Sequence, residues 1–280
     1  MLNPAELDRQ YNARAAVPSH PETLLRWARR SAATRERMRC GLNYYYGNSP
    51  DETLDIFPSP RPDAPLLVFI HGGYWRALDK YDFSFLAPAF VDAGVTLAVV
   101  NYGLAPANSI ETMVQQMLRA CAWLWRNAAV LGVNPRRIYV GGHSAGGHLA
   151  AMMLAAQWPV YASDLPDDLL RGGICVSGLY DLIPLAQTPF LRDSLKLDEQ
   201  NARHVSPVNY LPTRMTPLLT AVGSLESAEF HRQNRLIAKA WPHCPVQDVA
   251  MPGYHHFSIA DALGDPHSAL FRTALHMVQS

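Results

Sequence analysis

Apolar residues form two kinds of pattern along the chain from residue 54 onward. Short, continuous apolar runs predict strands at 54–57, 66–70, 96–100, 137–140, 173–177, 217–222 and 246–250. The longer segments between them predict helices at 82–93, 110–130, 148–158, 227–240 and 268–278. Because the strand-like runs are continuous rather than alternating, we expect strands covered on both faces. This pattern is typical of an α/β protein with a mostly parallel central sheet flanked by helices.

Two segments fall outside this alternation. Residues 1–47 precede the first predicted strand, and we expect them to form an N-terminal helical extension of one or two helices that packs over the mouth of a site. Residues 179–212 contain four prolines and are predicted to be a small, lid-like insertion at the C-terminal edge of the sheet. With 280 residues, of which 49% are hydrophobic, the chain is expected to form a single domain over 1–280 that includes both segments.

The charge balance argues against polyanionic partners. Lysine and arginine number 24, as do aspartate and glutamate, so we expect neither nucleic acid nor an anionic membrane as a partner. The arginine-rich stretch 26–39 is interpreted as the solvated side of a helix, with an anion-binding role as the alternative. No apolar run reaches 18 residues, and the first residues resemble neither a secretory signal nor a transit peptide. A cytoplasmic protein without a membrane-spanning segment is therefore expected.

The cysteines give no sign of a metal site. All four are scattered along the chain and form neither a CxxC pair nor a cluster with histidine: Cys40, Cys121, Cys175 and Cys244. We therefore expect no metal and no cofactor. The expected partner is a small-molecule substrate, and a homodimer is left open.

A GxSxG motif at 142–146 points to nucleophilic catalysis. An apolar run precedes it and a helix-forming run follows it, which is the strand, tight turn and helix of a nucleophile elbow. Ser144 is therefore a candidate nucleophile, although the five-residue pattern also occurs by chance. A second glycine-rich turn lies about 70 residues upstream, where Gly72 and Gly73 follow a predicted strand. Amides of glycine are uncovered by side chains and suit an oxyanion hole, although a turn of this kind can also be purely structural.

A serine nucleophile requires a base, and the base requires an orienting carboxylate. Two adjacent histidines, His255 and His256, follow the last predicted strand, and only one of them is expected to reach the serine. For the acid, Glu226 follows the 217–222 strand, where it could also serve as a helix cap. Asp181, after the preceding strand, is the alternative. His143 and His148 are interpreted as packing or hydrogen-bonding residues.

These segments resemble the α/β-hydrolase fold and, within it, the kynurenine formamidase (arylformamidase)-like branch of the HGG esterases. The resemblance is carried by HGGYW at 71–75, GHSAGGHL at 142–149, Tyr46-Gly47, LDIF at 54–57, and 227–233, which is similar to that branch's SPEFxRQ segment. It extends over nearly the whole chain. The match implies that the base is His256 and that the acid position, usually aspartate, is occupied by Glu226.

The resemblance implies a serine hydrolase that cleaves a small carboxylic ester or an aryl formamide through an acyl-enzyme. Backbone amides of Gly72, Gly73 and Ala145 are then expected to hold the oxyanion. Tyr74 and Trp75 are predicted to line the substrate pocket, or alternatively to pack as aromatic residues under a lid. A general carboxylesterase or thioesterase is the alternative function. A third possibility is a ligand-binding protein that has lost catalysis on a hydrolase scaffold.

Overall fold

The computed structural model describes residues 2–212 and 214–280. Its strands are β1 (Gly41–Tyr45), β2 (Thr53–Phe57), β3 (Ala64–Ile70), β4 (Thr96–Val100), β5 (Val133–His143), β6 (Gly173–Val176), β7 (Leu218–Gly223) and β8 (Val246–Met251). Its helices are α1 (Pro4–Tyr11), α2 (Ala13–Ala16), α3 (His20–Arg37), α4 (Ala87–Asp92), α5 (Ile110–Arg126), α6 (Ala145–Leu154), α7 (Trp158–Tyr161), α8 (Ile183–Ala186), α9 (Pro189–Leu195), α10 (Glu199–His204), α11 (Ala228–Ala240), α12 (Ser258–Leu263) and α13 (Ala269–Gln279).

Across the described residues the strands form one eight-stranded sheet, in the order β1-β2-β4-β3-β5-β6-β7-β8. The pairs β1–β2 and β2–β4 are antiparallel, and every pair from β4–β3 to β7–β8 is parallel. Successive residues of β3 enter opposite apolar clusters, Leu66 and Val68 on one face and Leu67 and Phe69 on the other. The mostly parallel sheet with helices on both faces confirms the predicted α/β class.

The predicted strands at 54–57 and beyond are all present, but β1 lies inside the 1–47 segment for which only helices were expected. This strand is at the edge of the sheet, and residues 42–45 are exposed, so it lacks the continuous apolar run that identifies the central strands. The same segment contains α1, α2 and α3, rather than one or two helices.

The predicted helix at 82–93 is also different in the structure. Two 3-10 turns, Lys80–Asp82 and Ser84–Leu86, precede α4, whose second residue is Pro88. Proline has no N–H to donate and is best accommodated in a first turn, which explains why the regular helix begins there. Prolines start α8 and α9 in the insertion in the same way.

Residues 4–37, which contain α1 to α3 and are called the cap segment below, are bound to the C-terminal half of the chain. The Tyr11 hydroxyl donates to Glu229 Oε2 at 2.6 Å. Trp27 Nε1 donates to Asp261 Oδ1 at 2.9 Å, and Arg26 also pairs with that carboxylate. These contacts hold the cap segment over the carboxyl ends of the strands.

Candidate active site

Ser144 occupies a tight turn between β5 and α6, with φ 58° and ψ −119°. A non-glycine residue with positive φ is strained by about 1–3 kcal/mol, and such strain is typical of functional sites. The glycines beside it are required by close approach. A Cβ on Gly142 would lie 2.3 Å from Gly146 O, and one on Gly146 would lie 2.0 Å from Ile70 O. The GxSxG motif therefore forms the elbow that its spacing predicts.

Three of the predicted site residues meet in one hydrogen-bonded chain. His256 Nε2 lies 3.0 Å from Ser144 Oγ, and His256 Nδ1 lies 2.6 Å from Glu226 Oε2. Ser144 is 2% exposed and His256 is 6% exposed, so both are shielded from bulk water. The loops after β5, β7 and β8 supply one residue each, because parallel strands end at the same edge of the sheet.

Glu226 is held as a carboxylate by its neighbours. Burial alone would raise its pKa, but the His256 charge and hydrogen bonds from His256, Ser177 and Gly223 together lower the pKa below its ordinary value. The Ser177 hydroxyl donates to Oε1 at 2.6 Å, and the Gly223 N–H donates to the same oxygen at 2.8 Å. Both oxygens of the carboxylate therefore have partners, which fixes the direction in which Oε2 faces the imidazole.

The alternative residues lie elsewhere. Asp181 accepts hydrogen bonds from Arg232 at 3.4 Å and from the Ile183 N–H at 3.2 Å, and it has no bond to His256. His255 Nδ1 accepts from the backbone N–H groups of 257 and 258 and so caps the start of α12. Of the two candidate acids and the two candidate bases, the structure brings Glu226 and His256 to the serine.

The glycine-rich turn after β3 lies against the elbow. Ile70 pairs with Gly142 at the end of the β3–β5 ladder, so the turn begins beside the serine. A Cβ on Gly72 would lie 2.7 Å from His143 O and 3.2 Å from Ser144 Cβ, so only glycine allows this approach. Gly73, with φ 111°, lines a cavity in front of the serine. Ala145 is the first residue of α6, where backbone N–H groups have no partner within the helix.

Tyr74 and Trp75 differ in their relation to the cavity. Both have positive φ, 51° and 55°, and their rings make an edge contact with centroids 6.2 Å apart. Tyr74 lines the cavity, and its hydroxyl donates to Tyr11 O. Trp75 is fully buried, does not line the cavity, and its Nε1 donates to His148 Nδ1 at 3.3 Å. In this structure Trp75 has the position of the alternative interpretation, a packed aromatic residue, whereas Tyr74 has the position expected of a pocket residue.

A cavity of about 280 Å³ lies in front of Ser144. Its wall comes from the cap segment, the turn after β3, the elbow, the insertion and the loop after β8, namely Asn12, Ala13, Arg14, Leu24, Trp27, Gly73, Tyr74, Arg76, Leu78, His143, Ser144, Phe190, His256 and Phe257. Packing of both irregular segments at the site was expected, but their wall residues were not identified. Leu24 and Trp27 lie in α3, which carries most of the arginine-rich stretch, and an apolar position on a helix does not distinguish core from cavity wall.

His143, the second residue of the GxSxG motif, contacts both the backbone and the ring of His256. Its Nε2 donates to the His256 carbonyl at 2.7 Å, and its ring packs against that of His256 at a tilt of 46°, with centroids 4.7 Å apart. Burial lowers the pKa of His143 to about 3, with the nearby His256 charge acting in the same direction, so the ring is neutral. This bond fixes the backbone of the residue that faces Ser144 and confirms the hydrogen-bonding interpretation of His143.

Comparison with known proteins identifies the family. The family model described as BD-FAE matches residues 54–158. Kynurenine formamidase from Salmo salar is 30% identical in an alignment that covers 99% of this chain and 97% of that protein. The chain belongs to the esterase and kynurenine formamidase family of α/β-hydrolases. As a member of this family the protein is a hydrolase.

Solved structures of other α/β-hydrolases have the same architecture. A candidate thioesterase from Silicibacter sp. superposes with a TM-score of 0.85 at 30% identity, covering 98% of this chain and 99% of that one. Esterase B from Lactobacillus rhamnosis gives a TM-score of 0.70 at 18% identity and covers 96% of this chain and 94% of that one. The latter likeness concerns the fold alone, and the α/β-hydrolase fold expected from the motifs is confirmed.

No helix in the described part of this α/β-hydrolase combines the length and the apolar character needed to cross a membrane. Within residues 2–212 and 214–280, no three histidine, cysteine, aspartate or glutamate side chains cluster in a way that could hold a metal ion.

Proposed function

We propose that the protein is a serine hydrolase in which Ser144 is the nucleophile, His256 is the general base and Glu226 orients the base. The observation that carries this proposal is the hydrogen-bonded chain of 3.0 Å and 2.6 Å from Ser144 through His256 to Glu226, at a strained elbow that faces a cavity. Nucleophile, base and orienting acid at these separations are the arrangement that acyl transfer to serine requires.

In the acylation step, Oγ of Ser144 attacks the carbonyl carbon of an ester or a formamide while Nε2 of His256 removes the hydroxyl proton. The carboxylate of Glu226 stabilises the imidazolium through the 2.6 Å contact with Nδ1. When the tetrahedral intermediate collapses, His256 gives that proton to the departing oxygen or nitrogen. Water then attacks the acyl-serine with the same histidine as base, which releases the acid and restores the serine.

Backbone amides are proposed to hold the oxyanion. Gly72 and Gly73 lie beside the serine, and Ala145 is at the start of α6, where the helix dipole favours negative charge. Loss of one oxyanion donor in related chemistry costs about 2.7–4 kcal/mol of transition-state stabilisation.

We infer that the substrate is a small aryl formamide or a small carboxylic ester, as in a kynurenine formamidase-like enzyme. The cavity of about 280 Å³ lies at the small end of ligand pockets, and four residues of its wall present aromatic rings, namely Trp27, Tyr74, Phe190 and Phe257. A formyl group needs little room beside the serine, while an aromatic leaving group would stack on these rings. The full-length relative named kynurenine formamidase supports the formamide.

A general carboxylesterase or thioesterase is the second proposal. The likeness to the Silicibacter candidate thioesterase, over 98% of this chain, favours including thioesters. All three reactions use the same serine chemistry and differ in the leaving group. A non-catalytic ligand-binding protein is disfavoured, since it would have no use for a complete chain from serine to carboxylate.

Two measurements test these proposals. A fluorophosphonate should label wild type and not Ser144→Ala, and an unlabelled wild type would favour the non-catalytic protein. Rates should then be compared on N-formylkynurenine, p-nitrophenyl acetate and a short thioester. Background rates both on N-formylkynurenine, which is a zwitterion, and on an aryl formamide without an ammonium group, beside a measurable ester or thioester rate, would replace the first proposal by the second.

A further inference from the structure

Two arginines line the cavity in front of Ser144. Arg76 follows the turn after β3, and Arg14 lies in α2 of the cap segment. Arg76 is half-buried, whereas Arg14 is exposed at the mouth. A guanidinium is charged at any physiological pH and is costly to desolvate, so two of them in one small cavity require an explanation.

The protein orients the Arg76 guanidinium but uses only part of its hydrogen-bond donors. Its Nη1 donates to the Phe190 carbonyl at 2.7 Å and to the Ser194 hydroxyl at 3.0 Å, both on the insertion. Its guanidinium also lies 5.4 Å above the centre of the Phe190 ring. Within the described residues, Nε and Nη2 have no hydrogen-bond partner, so the group is oriented by the protein while part of its donor fork is unused.

No carboxylate balances these charges at the cavity. Among the described residues of the wall none is acidic, and neither arginine belongs to an ion pair in the part of the chain that the structure describes. Asp8 lies nearby, but its carboxylate accepts the Phe190 N–H at 3.0 Å and does not line the cavity. Burial, followed by the positive charge of Arg14, lowers the pKa of Arg76. The two arginine charges therefore have no acidic partner among the described residues of the cavity wall.

We propose that the cavity selects substrates with a net negative charge, namely an aryl formamide or ester that bears a carboxylate and no ammonium group, with the carboxylate bound by Arg76 and attracted by Arg14. This inference rests on the proposed serine hydrolase function and narrows its substrate class to one that disfavours zwitterions, N-formylkynurenine among them. A planar guanidinium fork pairs with a carboxylate through strong, charge-assisted hydrogen bonds. A neutral substrate forgoes those bonds, and a zwitterion brings an ammonium group to a wall that offers no anion.

The test uses three probes on one scaffold. These are 3-(4-formamidophenyl)propanoate, its neutral propanamide, and 4-formamidophenylalanine, which adds an ammonium group to the first. The expected kcat/KM of wild type is at least about tenfold higher for the anion than for either other probe, mainly through KM. Arg76→Gln should lower the anion-to-amide ratio by about 10- to 100-fold, Arg76→Lys should lower it less, and Arg14→Gln should lower it by a few fold because that residue is exposed and screened. The matched control is Arg29→Gln, an exposed arginine of α3 outside the cavity, which should keep the wild-type ratio.

Because each result is a ratio within one variant, a general loss of folding cancels. Equal rates on anion and amide, with a ratio unchanged in Arg76→Gln, would overturn the inference and leave the serine hydrolase intact. A preference for the zwitterion over the anion would overturn it as well. If no probe is hydrolysed, calorimetry can measure binding of the anion and of the amide to Ser144→Ala. Tighter binding of the anion, lost in Ser144→Ala/Arg76→Gln, would support the proposed selection of anionic substrates. Equal affinities for the anion and the amide would reject it.

Discussion

Replacing Glu226 by glutamine is the sharpest perturbation of the proposed triad, because it removes a charge with almost no change of shape. In wild type, Oε1 accepts two hydrogen bonds, from Ser177 and from the Gly223 N–H, while Oε2 faces His256. In Glu226→Gln those two donors should hold the amide oxygen, so the amide NH₂ must face the imidazole. The amide NH₂ then faces the N–H of His256 Nδ1, and the two donors repel unless His256 adopts the tautomer whose proton is on Nε2.

That tautomer directs its proton at the serine and cannot accept another. Where the same carboxylate-to-amide change has been made in a serine protease triad, kcat falls about 10⁴-fold. We expect kcat of Glu226→Gln to fall by about 10³- to 10⁴-fold, which corresponds to about 4–5.5 kcal/mol of transition-state stabilisation. KM should change little, because Glu226 does not line the main cavity.

The assay is steady-state hydrolysis of p-nitrophenyl acetate, with far-ultraviolet circular dichroism and a urea midpoint to establish that the variant is folded. Asp181→Asn is the matched control and should retain at least about a third of the wild-type kcat, since that carboxylate pairs with Arg232. A Glu226→Gln enzyme with more than a tenth of the wild-type kcat, or an equal loss in Asp181→Asn, would refute the assignment of the acid.

Three further outcomes follow from the structure. Gly146→Ala should lower the free energy of unfolding by about 1–3 kcal/mol and abolish most activity, because its Cβ would lie 2.0 Å from Ile70 O; an unchanged urea midpoint would contradict this. Tyr11→Phe loses the 2.6 Å hydrogen bond to Glu229, which should lower the free energy of unfolding by about 1 kcal/mol and speed proteolysis within the cap segment. Equal proteolysis rates in the variant and wild type would show that this bond does not hold the cap segment in place. Burial lowers the pKa of His148 from 6.5 to about 4, so the unfolded chain takes up a proton first and stability falls as pH drops from 6.5 towards 4. Urea denaturation at pH 7 and pH 5 should show that the free energy of unfolding falls by about 2 kcal/mol less in His148→Gln than in wild type. An equal fall in both proteins would show that His148 does not cause this pH dependence.

The parts of the structure that are fixed locally were predictable from the sequence. Central strands such as β3 and β4 are covered on both faces, so their continuous apolar runs identify them. The GxSxG elbow was predictable for the same kind of reason, since only glycine permits the approach of Gly146 to Ile70 O. The edge strand β1 was missed because exposed residues carry no such pattern.

The parts that depend on long-range packing were not predictable. Tyr74 and Trp75 both adopt a left-handed backbone conformation, which is uncommon for bulky residues and which their sequence does not indicate. Trp27 is separated from its partner Asp261 by 234 positions, and nothing local distinguishes a ring that lines a cavity from one in the core. The sequence does not indicate the role proposed for Arg76, because that role depends on which residues line the cavity with it, and none of the described lining residues is acidic.

The joining of Trp27 to Asp261, and of Tyr11 to Glu229, has a kinetic consequence. Each of these contacts joins residues more than two hundred positions apart, and both must form before the cap segment can complete the cavity wall. Contacts between positions so distant in the chain form slowly. Refolding should therefore recover secondary structure first and hydrolytic turnover last, with an interval in which the elbow is formed but open to solvent. Nascent chains still attached to the ribosome, with residues beyond 254 inside the exit tunnel, should also be inactive, because His256 and the residues that follow it have not yet emerged.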